Sequence, residues 1–385
     1  MKAPHIYLVA GEASGDVIGS RLIKALKEKV PNCIISGIGG HLMAEQGLHS
    51  LFPLQELSIM GIMEVLPHIP RILRRLNETQ QDILLKKPDI VVTIDAKGFS
   101  FRLAKRLKKY GFPVVHYTAP SVWAWRPKRA QQISHFVDHL LVLFPFEPPY
   151  FEKVGLPTTF VGHPLTEEKF EEIQPKIFKK KLSLTKNEKL ICLLPGSRTR
   201  EIYSLLPVFI EALQQLNQKI KNVRLIIPTF PHFETYIRQE MEKANLKFSL
   251  ITDEQEKYHA MVASDAAIAA SGTVALELGL TQTPFLIAYK VNSLTAFILK
   301  RLIRIPYACM VNILLNKPVI GEFLQENCRP NLISTHLYEI LQKENNQKLR
   351  QELSTIRALL TNKNKQPSKF AAETILKILR NYQGS

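Results

Sequence analysis

The sequence predicts an α/β protein with two doubly wound domains facing a cleft, and three observations support this. Apolar runs of strand length alternate with amphipathic stretches of about 12 to 18 residues, the pattern of βαβ units around a parallel sheet. The 385 residues are enough for two separate cores. Between residues 165 and 189 the chain becomes Glu-rich and then Lys-rich without a strand signal, which indicates an exposed connection between domains.

The first domain, residues 1–165, alternates strands and helices. Its strands are predicted at 5–10, 33–37, 89–95, 113–118, 138–144 and 158–162. Its helices are predicted at 16–29, 70–86, 99–110 and 128–136. In such domains ligands bind at the carboxyl ends of the strands, so the loops that follow each strand are the places to look for a site.

The second domain, residues 166–345, repeats the alternation. Its strands are predicted at 189–195, 223–228, 247–251, 266–270 and 284–289. Its helices are predicted at 199–219, 232–244, 256–264, 273–281 and 293–303. Residues 346–385 have helical periodicity, and the sequence leaves open whether this helical C-terminus packs back on the first domain.

Composition excludes several classes of protein. With 45% hydrophobic and 22% charged residues, the chain is not of the disordered type. No run reaches the ~18 apolar residues of a membrane span, and the apolar run at 5–10 is too short for a signal peptide, so we expect a cytoplasmic protein. The four cysteines lie far apart without zinc spacing, which predicts reduced thiols and no metal site.

Positive charge is concentrated in one part of the chain. The net charge is +17, and residues 71–129 contain fourteen lysines and arginines against four acidic residues. Such a patch attracts polyanions, which include nucleic acid, anionic lipid headgroups and phosphorylated substrates. Composition alone does not choose among these three.

Two strand ends of the first domain carry candidate catalytic residues. The first strand ends in Gly-Glu12-Ala-Ser14-Gly-Asp16, where backbone N–H groups at a helix start could bind an anion or a sugar. The alternative is a capped helix start with Ser14 or Asp16 as the N-cap. Asp95 ends the strand at 89–95, where burial can tune a carboxylate for general-base catalysis. The alternative for Asp95 is an N-cap of the helix beginning near Phe99.

Both tryptophans of the chain lie in one loop of the first domain. Trp123 and Trp125 follow the strand at 113–118, and Arg126 and Arg129 come directly after them. Aromatic faces beside cations suit sugar rings and phosphates, so these residues are candidates for substrate binding. The alternative is a packed loop with a solvated basic end.

The second domain contains two small-residue turns between a strand and a helix. The six turn residues are Gly196, Ser197, Arg198, Ser271, Gly272 and Thr273. Small residues let the backbone approach a phosphate, and an arginine can neutralise it. Glu277, one turn further along the second helix, could accept hydrogen bonds from ribose hydroxyls. Together they fit a nucleoside diphosphate better than either turn alone, although a purely structural origin of both turns remains the alternative.

An amphipathic stretch at 62–76 combines an apolar face with Arg71, Arg74 and Arg75. This combination is typical of an interfacial helix on an anionic membrane, and equally of a helix that covers a sheet with its cations in water. If the first interpretation holds, the membrane-facing residues are Ile62, Leu66, Ile69, Leu73 and Leu76.

The order of these motifs resembles the lipid-A-disaccharide synthase family. The matching stretches are 11–16, 60–65, 94–95, 120–125, 162–164, 194–198, 270–273 and Glu277, within about residues 5–330. Two stretches depart from the family pattern: Lys97 and Ser100 stand where the family usually has Pro and Asn, and Met310-Val-Asn312 replaces Leu-Pro-Asn. Asn312 thereby keeps an Asn that resembles a UDP-contacting position.

The resemblance implies a glycosyltransferase-B fold of two Rossmann-like domains and an inverting reaction. UDP-2,3-diacylglucosamine and 2,3-diacylglucosamine 1-phosphate would give the β(1→6) disaccharide and UDP, with the UDP-sugar as a substrate and no cofactor or metal. Asp95 and Glu12 would be catalytic. Ser14, the tryptophans and the two arginines of their loop would contact the acceptor.

The resemblance also implies a location, and two alternatives remain beside it. Acylated substrates imply a peripheral position on the anionic inner-membrane surface of a Gram-negative-type bacterium, and the sequence leaves a homodimer open. The first alternative is another UDP-sugar enzyme of the same fold, an epimerase or a transferase with a different acceptor. The second is a basic nucleic-acid-binding protein, but the sequence contains no nucleic-acid-binding motif.

Overall fold

The computed structural model describes residues 3–57, 68–125, 127–185, 187–292, 305–363 and 365–383. The chain divides into two compact units. The first contains Met1–Glu167 together with Leu360–Ser385, and the second contains Glu168–Leu359. The expected C-terminal segment is therefore divided, because residues 346–359 belong to the second unit and only the residues from Leu360 onward belong to the first.

The first unit contains a six-stranded parallel sheet in the order β2-β1-β3-β4-β5-β6. Its strands are β1 His5–Ala10, β2 Ile34–Ile38, β3 Ile90–Ile94, β4 Val114–Tyr117, β5 His139–Val142 and β6 Thr158–Phe160. Its helices are α1 Ala13–Lys29, α2 His41–Glu45, α3 Ile69–Lys86, α4 Lys97–Leu107, α5 Lys128–Ser134, α6 Pro148–Glu152 and α16 Pro367–Gln383. Short 3₁₀ helices lie at Leu54–Glu56, Lys108–Tyr110 and Pro164–Glu167.

The second unit repeats this architecture with the strand order β12-β11-β10-β7-β8-β9, again all parallel. Its strands are β7 Lys189–Leu194, β8 Val223–Pro228, β9 Phe248–Ile251, β10 Ala266–Ala270, β11 Phe285–Tyr289 and β12 Gly321–Leu324. Its helices are α7 Pro175–Lys181, α8 Thr199–Lys219, α9 Glu234–Lys243, α10 Glu254–Ala263, α11 Val274–Leu280, α12 Met310–Leu315, α13 Pro330–Leu341, α14 Lys343–Ser354 and α15 Ile356–Leu359. Short 3₁₀ helices lie at Phe170–Glu172, Pro231–Phe233 and Gln325–Asn327.

Each sheet is buried on both faces, which explains why its central strands are apolar without alternation. The residues of β3 are all buried, and so are those of β10. In the first unit the last helix completes the core, because Ala371, Ala372 and Ile375 of α16 pack in the same cluster as Ile6 of β1 and Leu22 of α1.

The structure corrects two sequence expectations about the fold. The strand β12 was not predicted, and the stretch at 165–189 is more than an exposed connection, because Phe170 and Phe178 are each only 4% exposed. The predicted helix at 293–303 lies outside the described residues, as do residues 58–67 of the predicted amphipathic stretch. In the ranges described, no helix is long and apolar enough to cross a bilayer.

Candidate active site

The turns after β1 and β3 lie side by side at the carboxyl edge of the first sheet. Pairing of Ala10 with Ile94 brings the two strand ends level. A Cβ atom on Gly11 would overlap the Cβ of Ala96, so glycine is required where the two turns touch. Glu12 and Asp95 therefore lie in neighbouring turns at the carboxyl edge of the first sheet.

Asp95 is held in a strained turn. Asp95 and Ala96 both have positive φ, +53° and +43°, a region that side-chain-bearing residues rarely adopt. The Asp95 N–H donates to the Tyr117 carbonyl at 3.0 Å, and the Ser100 hydroxyl donates to the Asp95 carbonyl at 2.8 Å. The N-cap of α4 is Ala96, so the interpretation of Asp95 as the cap is wrong.

The Asp95 carboxylate has two polar neighbours. Oδ2 accepts a hydrogen bond from the Ser14 hydroxyl at 2.8 Å, and Oδ1 lies 4.0 Å from the Lys97 ammonium. The side chain is 21% exposed, so it is partly desolvated but reachable. Ser14 is thereby a partner of Asp95, and the alternative in which it caps the first helix is not observed.

Glu12 is the second carboxylate of this edge. Burial raises its pKa, the negative charge of Asp95 raises it further, and the positive charge of Lys97 lowers it. Asp16, the other capping candidate, caps a different helix. Its carboxylate accepts the N–H groups of Gly40, Leu42 and Met43 at the start of α2.

The tryptophan loop is anchored by a residue that sequence reasoning missed. The Trp123 indole N–H donates to Glu147 Oε1 at 3.4 Å, and Glu147 is 3% exposed. Trp125 is 39% exposed, and the Arg129 guanidinium lies 5.5 Å from the centre of the Phe101 ring. Arg126 lies outside the described residues. The signal that could have revealed Glu147 is weak, because it lies five residues after the end of β5, whereas Asp95 is the first residue after β3.

In the first predicted phosphate-binding turn of the second unit, a carboxylate of the protein already accepts two of the backbone N–H groups. Gly196 has φ +120°, a conformation that favours glycine. Glu201 Oε2 accepts the N–H groups of Ser197 at 3.2 Å and Arg198 at 3.3 Å, so these two amides bind a carboxylate in this structure. The Arg198 side chain is 67% exposed and meets Glu201 Oε1 at 3.3 Å.

The second turn connects β10 to α11. Gly272 and Thr273 are exposed and Ser271 is half-buried. Glu277 forms an ion pair with Lys257 of α10 at 3.0 Å, with side-chain exposures of 14% and 21% for Glu277 and Lys257. Burial raises the pKa of Glu277, and Lys257 acts in the opposite direction. Sequence reasoning missed Lys257, because it lies twenty residues away on another helix.

Asn312 is the residue of the second unit that was expected to contact UDP. The residue is 1% exposed, its amide donates to the Ile320 carbonyl at 2.8 Å and Glu322 at 2.9 Å, and its oxygen accepts the Ile320 N–H at 2.8 Å. These bonds join α12 to the start of β12. The side chain is buried and bonded within the second unit, and its contact with UDP stays a prediction.

The residues of α3 that were predicted to face a membrane are partly exposed and partly buried. Ile69 and Leu73 are 41% and 44% exposed, whereas Leu76 is 1% exposed and packs in the core, so including Leu76 in the apolar face was wrong. Ile62 and Leu66 lie outside the described residues. Arg75 is not available to lipid either, because its guanidinium makes two hydrogen bonds to Glu56, at 2.6 and 2.9 Å.

Two Rossmann-like sheets with candidate ligand turns at their carboxyl edges define a protein of the glycosyltransferase-B fold. Two solved structures share it: a glycotransferase of kitacinnamycin (TM-score 0.66, 12% identity, 98% of this chain and 99% of that one) and the UDP-GlcNAc 2-epimerase from Neisseria meningitidis bound to UDP-GlcNAc (TM-score 0.63, 13% identity, 98% and 100%). At these identities the likeness concerns the fold alone.

The family described as Lipid-A-disaccharide synthetase matches residues 6–376. The Lipid-A-disaccharide synthase of Rhodospirillum centenum is 40% identical over 98% of this chain and 96% of its own length. The chain therefore belongs to the lipid-A-disaccharide synthase family and is a glycosyltransferase. Among the residues described, no group of three His, Cys, Asp or Glu side chains could hold a metal ion.

Proposed function

We propose that this enzyme joins UDP-2,3-diacylglucosamine to 2,3-diacylglucosamine 1-phosphate, inverting the anomeric centre and releasing UDP. Membership of the family supports the reaction class. The observation that carries the mechanism is the Asp95 carboxylate, held by Ser14 in a strained turn at the carboxyl edge of the first sheet. Ordered carboxylates at such edges are suited to take a proton from a bound hydroxyl.

In this proposal Asp95 is the general base. The acceptor 6-hydroxyl oxygen forms a bond to the anomeric carbon, while the bond from that carbon to the diphosphate oxygen breaks and its electron pair leaves with UDP. The hydroxyl proton passes to Asp95. Oδ1 is the receiving atom, because Oδ2 already accepts the Ser14 hydroxyl. The Lys97 ammonium lies 4.0 Å from Oδ1.

Glu12 is assigned to substrate orientation. It lies at the same edge, but its pKa is raised by burial and by Asp95. A carboxyl group with a raised pKa binds protons more readily and can donate a hydrogen bond to a sugar hydroxyl in its neutral form. The division of roles follows from environment, since Lys97 contacts Asp95 and only partly offsets the burial of Glu12.

The donor is assigned to the second unit. The exposed Arg198 side chain and the turn at 271–273 would contact the diphosphate, and Glu277 would accept the ribose hydroxyls. The N–H groups of Ser197 and Arg198 could bind the diphosphate only after their hydrogen bonds to Glu201 break. Support comes from the exposure of Arg198 and Thr273 and from the Glu277–Lys257 ion pair, which keeps a carboxylate in place.

The acceptor and the membrane are assigned to the first unit. Trp123, Trp125 and Arg129 would contact the acceptor sugar and its phosphate, while Ile69 and Leu73 would insert among the lipids that supply both substrates. Exposed apolar residues beside basic ones favour a peripheral position on an anionic surface. No cofactor enters the proposal, because the UDP-sugar is itself a substrate.

One assay separates this function from its rival. UDP release is measured with the UDP-diacylglucosamine alone, with the diacylglucosamine 1-phosphate alone, and with both. The proposal requires release only when both are present, together with a disaccharide 1-phosphate product. An epimerase would convert the UDP-sugar alone, and that result would overturn the proposal.

A further inference from the structure

Glu147 combines deep burial with a full set of hydrogen-bond donors. Only two acidic residues of the described ranges are buried, Asp16 at 6% and Glu147 at 3% exposure, and Asp16 is accounted for as the cap of α2. Among the ion pairs of the described residues, none involves Glu147. A buried carboxylate without a directly bound cation is costly, so its hydrogen bonds must stabilise it.

Three N–H groups converge on this carboxylate. Oε2 accepts the backbone N–H groups of Leu143 at 3.2 Å and Phe144 at 3.1 Å, in the turn directly after β5. Oε1 accepts the indole N–H of Trp123 at 3.4 Å. One oxygen therefore fixes the turn after β5, and the other joins that turn to the loop after β4.

The indole is also held by aromatic packing. The Trp123 ring meets Phe146 edge-on at a centroid distance of 5.1 Å, and Phe146 is stacked on Phe144 at 5.5 Å. The hydrogen bond to Glu147 acts together with this packing, because it is directed at the one polar atom of the indole.

We propose that Glu147 is a positioning residue of the transfer reaction, which orients Trp123 for the acceptor sugar through the indole N–H. This inference rests on the proposed function, because Trp123 is assigned there to the acceptor. Glu147 itself is buried and touches no substrate. Its effect on catalysis passes through Trp123.

The proton state of Glu147 supplies a readout that is independent of turnover. Burial raises its pKa to about 7, although the three N–H donors and the charge of Lys97 act against the rise. The histidines around this edge do not titrate there, since burial lowers the pKa of His116 to about 3 and that of His163 to about 4. His163 packs against Phe144 at 5.6 Å and is neutral near pH 7.

Protonation is expected on the oxygen that has one donor rather than two. If Oε1 is protonated, its O–H group faces the indole N–H, so that two donors meet. The hydrogen bond between Glu147 and Trp123 would then be lost. Glu147→Gln should imitate this state, because the amide oxygen can serve the two backbone N–H groups only if the NH₂ group faces the indole. Trp123→Phe should have the same effect on the acceptor, because it lacks the indole N–H.

The spectroscopic test uses the two tryptophans of the chain. In Trp125→Phe enzyme the fluorescence comes from Trp123 alone, and we expect a single transition near pH 7 in a titration from about pH 5.5 to about pH 8.5. Adding Glu147→Gln should abolish the transition. A spectrum that does not change with pH in Trp125→Phe enzyme would overturn the proposal, and this result does not depend on whether the Glu147 variant folds.

The kinetic test uses otherwise wild-type enzyme. Glu147→Gln and Trp123→Phe should each raise the acceptor KM by about tenfold, the worth of one hydrogen bond, and leave the donor KM unchanged. The double variant should be no worse than either single variant. Equal changes in both KM values, or additive effects, would contradict the positioning role. If acylated sugars gave no UDP release at all, the proposed function would fail while the fluorescence transition would persist.

Discussion

The ion pair between Lys257 and Glu277 gives a prediction that joins stability to donor binding. Lys257→Met keeps the length and apolar stem of the side chain and removes the ammonium that lies 3.0 Å from Glu277 Oε1. With side-chain exposures of 14% for Glu277 and 21% for Lys257, the carboxylate is left nearly buried without its cation. Breaking a buried pair in this way costs about 3–5 kcal/mol, and we expect the lower end because the carboxyl can be protonated.

The loss of stability in Lys257→Met should depend on pH, and its direction follows from the pKa of Glu277. Burial already raises the pKa of Glu277 in the folded protein, and loss of Lys257 should raise it further. A group whose pKa is higher when folded contributes stability below its unfolded pKa, and this contribution is lost as pH rises towards the folded pKa. The variant should therefore be close to wild type near pH 4 and should lose about 3 kcal/mol by pH 8.

Urea denaturation at the two pH values measures the difference, with UDP titration calorimetry at pH 8 beside it. Lys257→Arg is the matched control and should keep most of the stability and the UDP affinity. The double variant Lys257→Met with Glu277→Gln should regain stability but not full UDP affinity, because the amide offers the ribose one neutral acceptor oxygen where the carboxylate offers two charged ones. Equal losses of stability at both pH values would refute the reasoning.

Three further predictions concern other parts of the molecule. Arg198→Ala should weaken UDP binding by about 1.5–3 kcal/mol in calorimetry, and unchanged affinity would remove this side chain from the donor site. Ile69→Ser combined with Leu73→Ser should shift the protein from anionic vesicles to solution at an unchanged unfolding midpoint, whereas Leu76→Ser should destabilise the fold. Gly11→Ala should cost about 1–3 kcal/mol in urea denaturation because its Cβ overlaps the turn after β3, and wild-type stability would contradict that packing.

Most strands were predictable because a strand that is buried on both faces of its sheet is a continuous run of apolar residues. The strands β1, β8 and β10 match their predicted bounds. β12 was missed because it is a four-residue edge strand of half-buried residues, Gly-Glu-Phe-Leu, which carries no apolar run. The boundary of the helical C-terminus was missed because the division at Leu360 depends on packing, and the helical periodicity is the same on both sides of it.

The candidate site was predictable only where the residues follow strand ends. Asp95 and Glu12 could be placed from topology, because the carboxyl ends of parallel strands share one edge. The partners could not, because each is distant in sequence: Glu147 lies 24 residues from Trp123, and Lys257 lies 20 residues from Glu277. The bonds of Asn312 could not be predicted for the same reason, since only the fold shows that its amide joins α12 to the residue before β12.

The central claim is that Asp95 takes the proton of the acceptor hydroxyl. Asp95→Asn keeps the size of the side chain and a hydrogen-bonding partner for Ser14 but removes the base. We expect kcat to fall by about 10²–10⁴-fold while UDP affinity in calorimetry stays at the wild-type value. Near-full turnover of Asp95→Asn, together with loss of turnover in Glu12→Gln, would contradict the account and would assign the proton to Glu12.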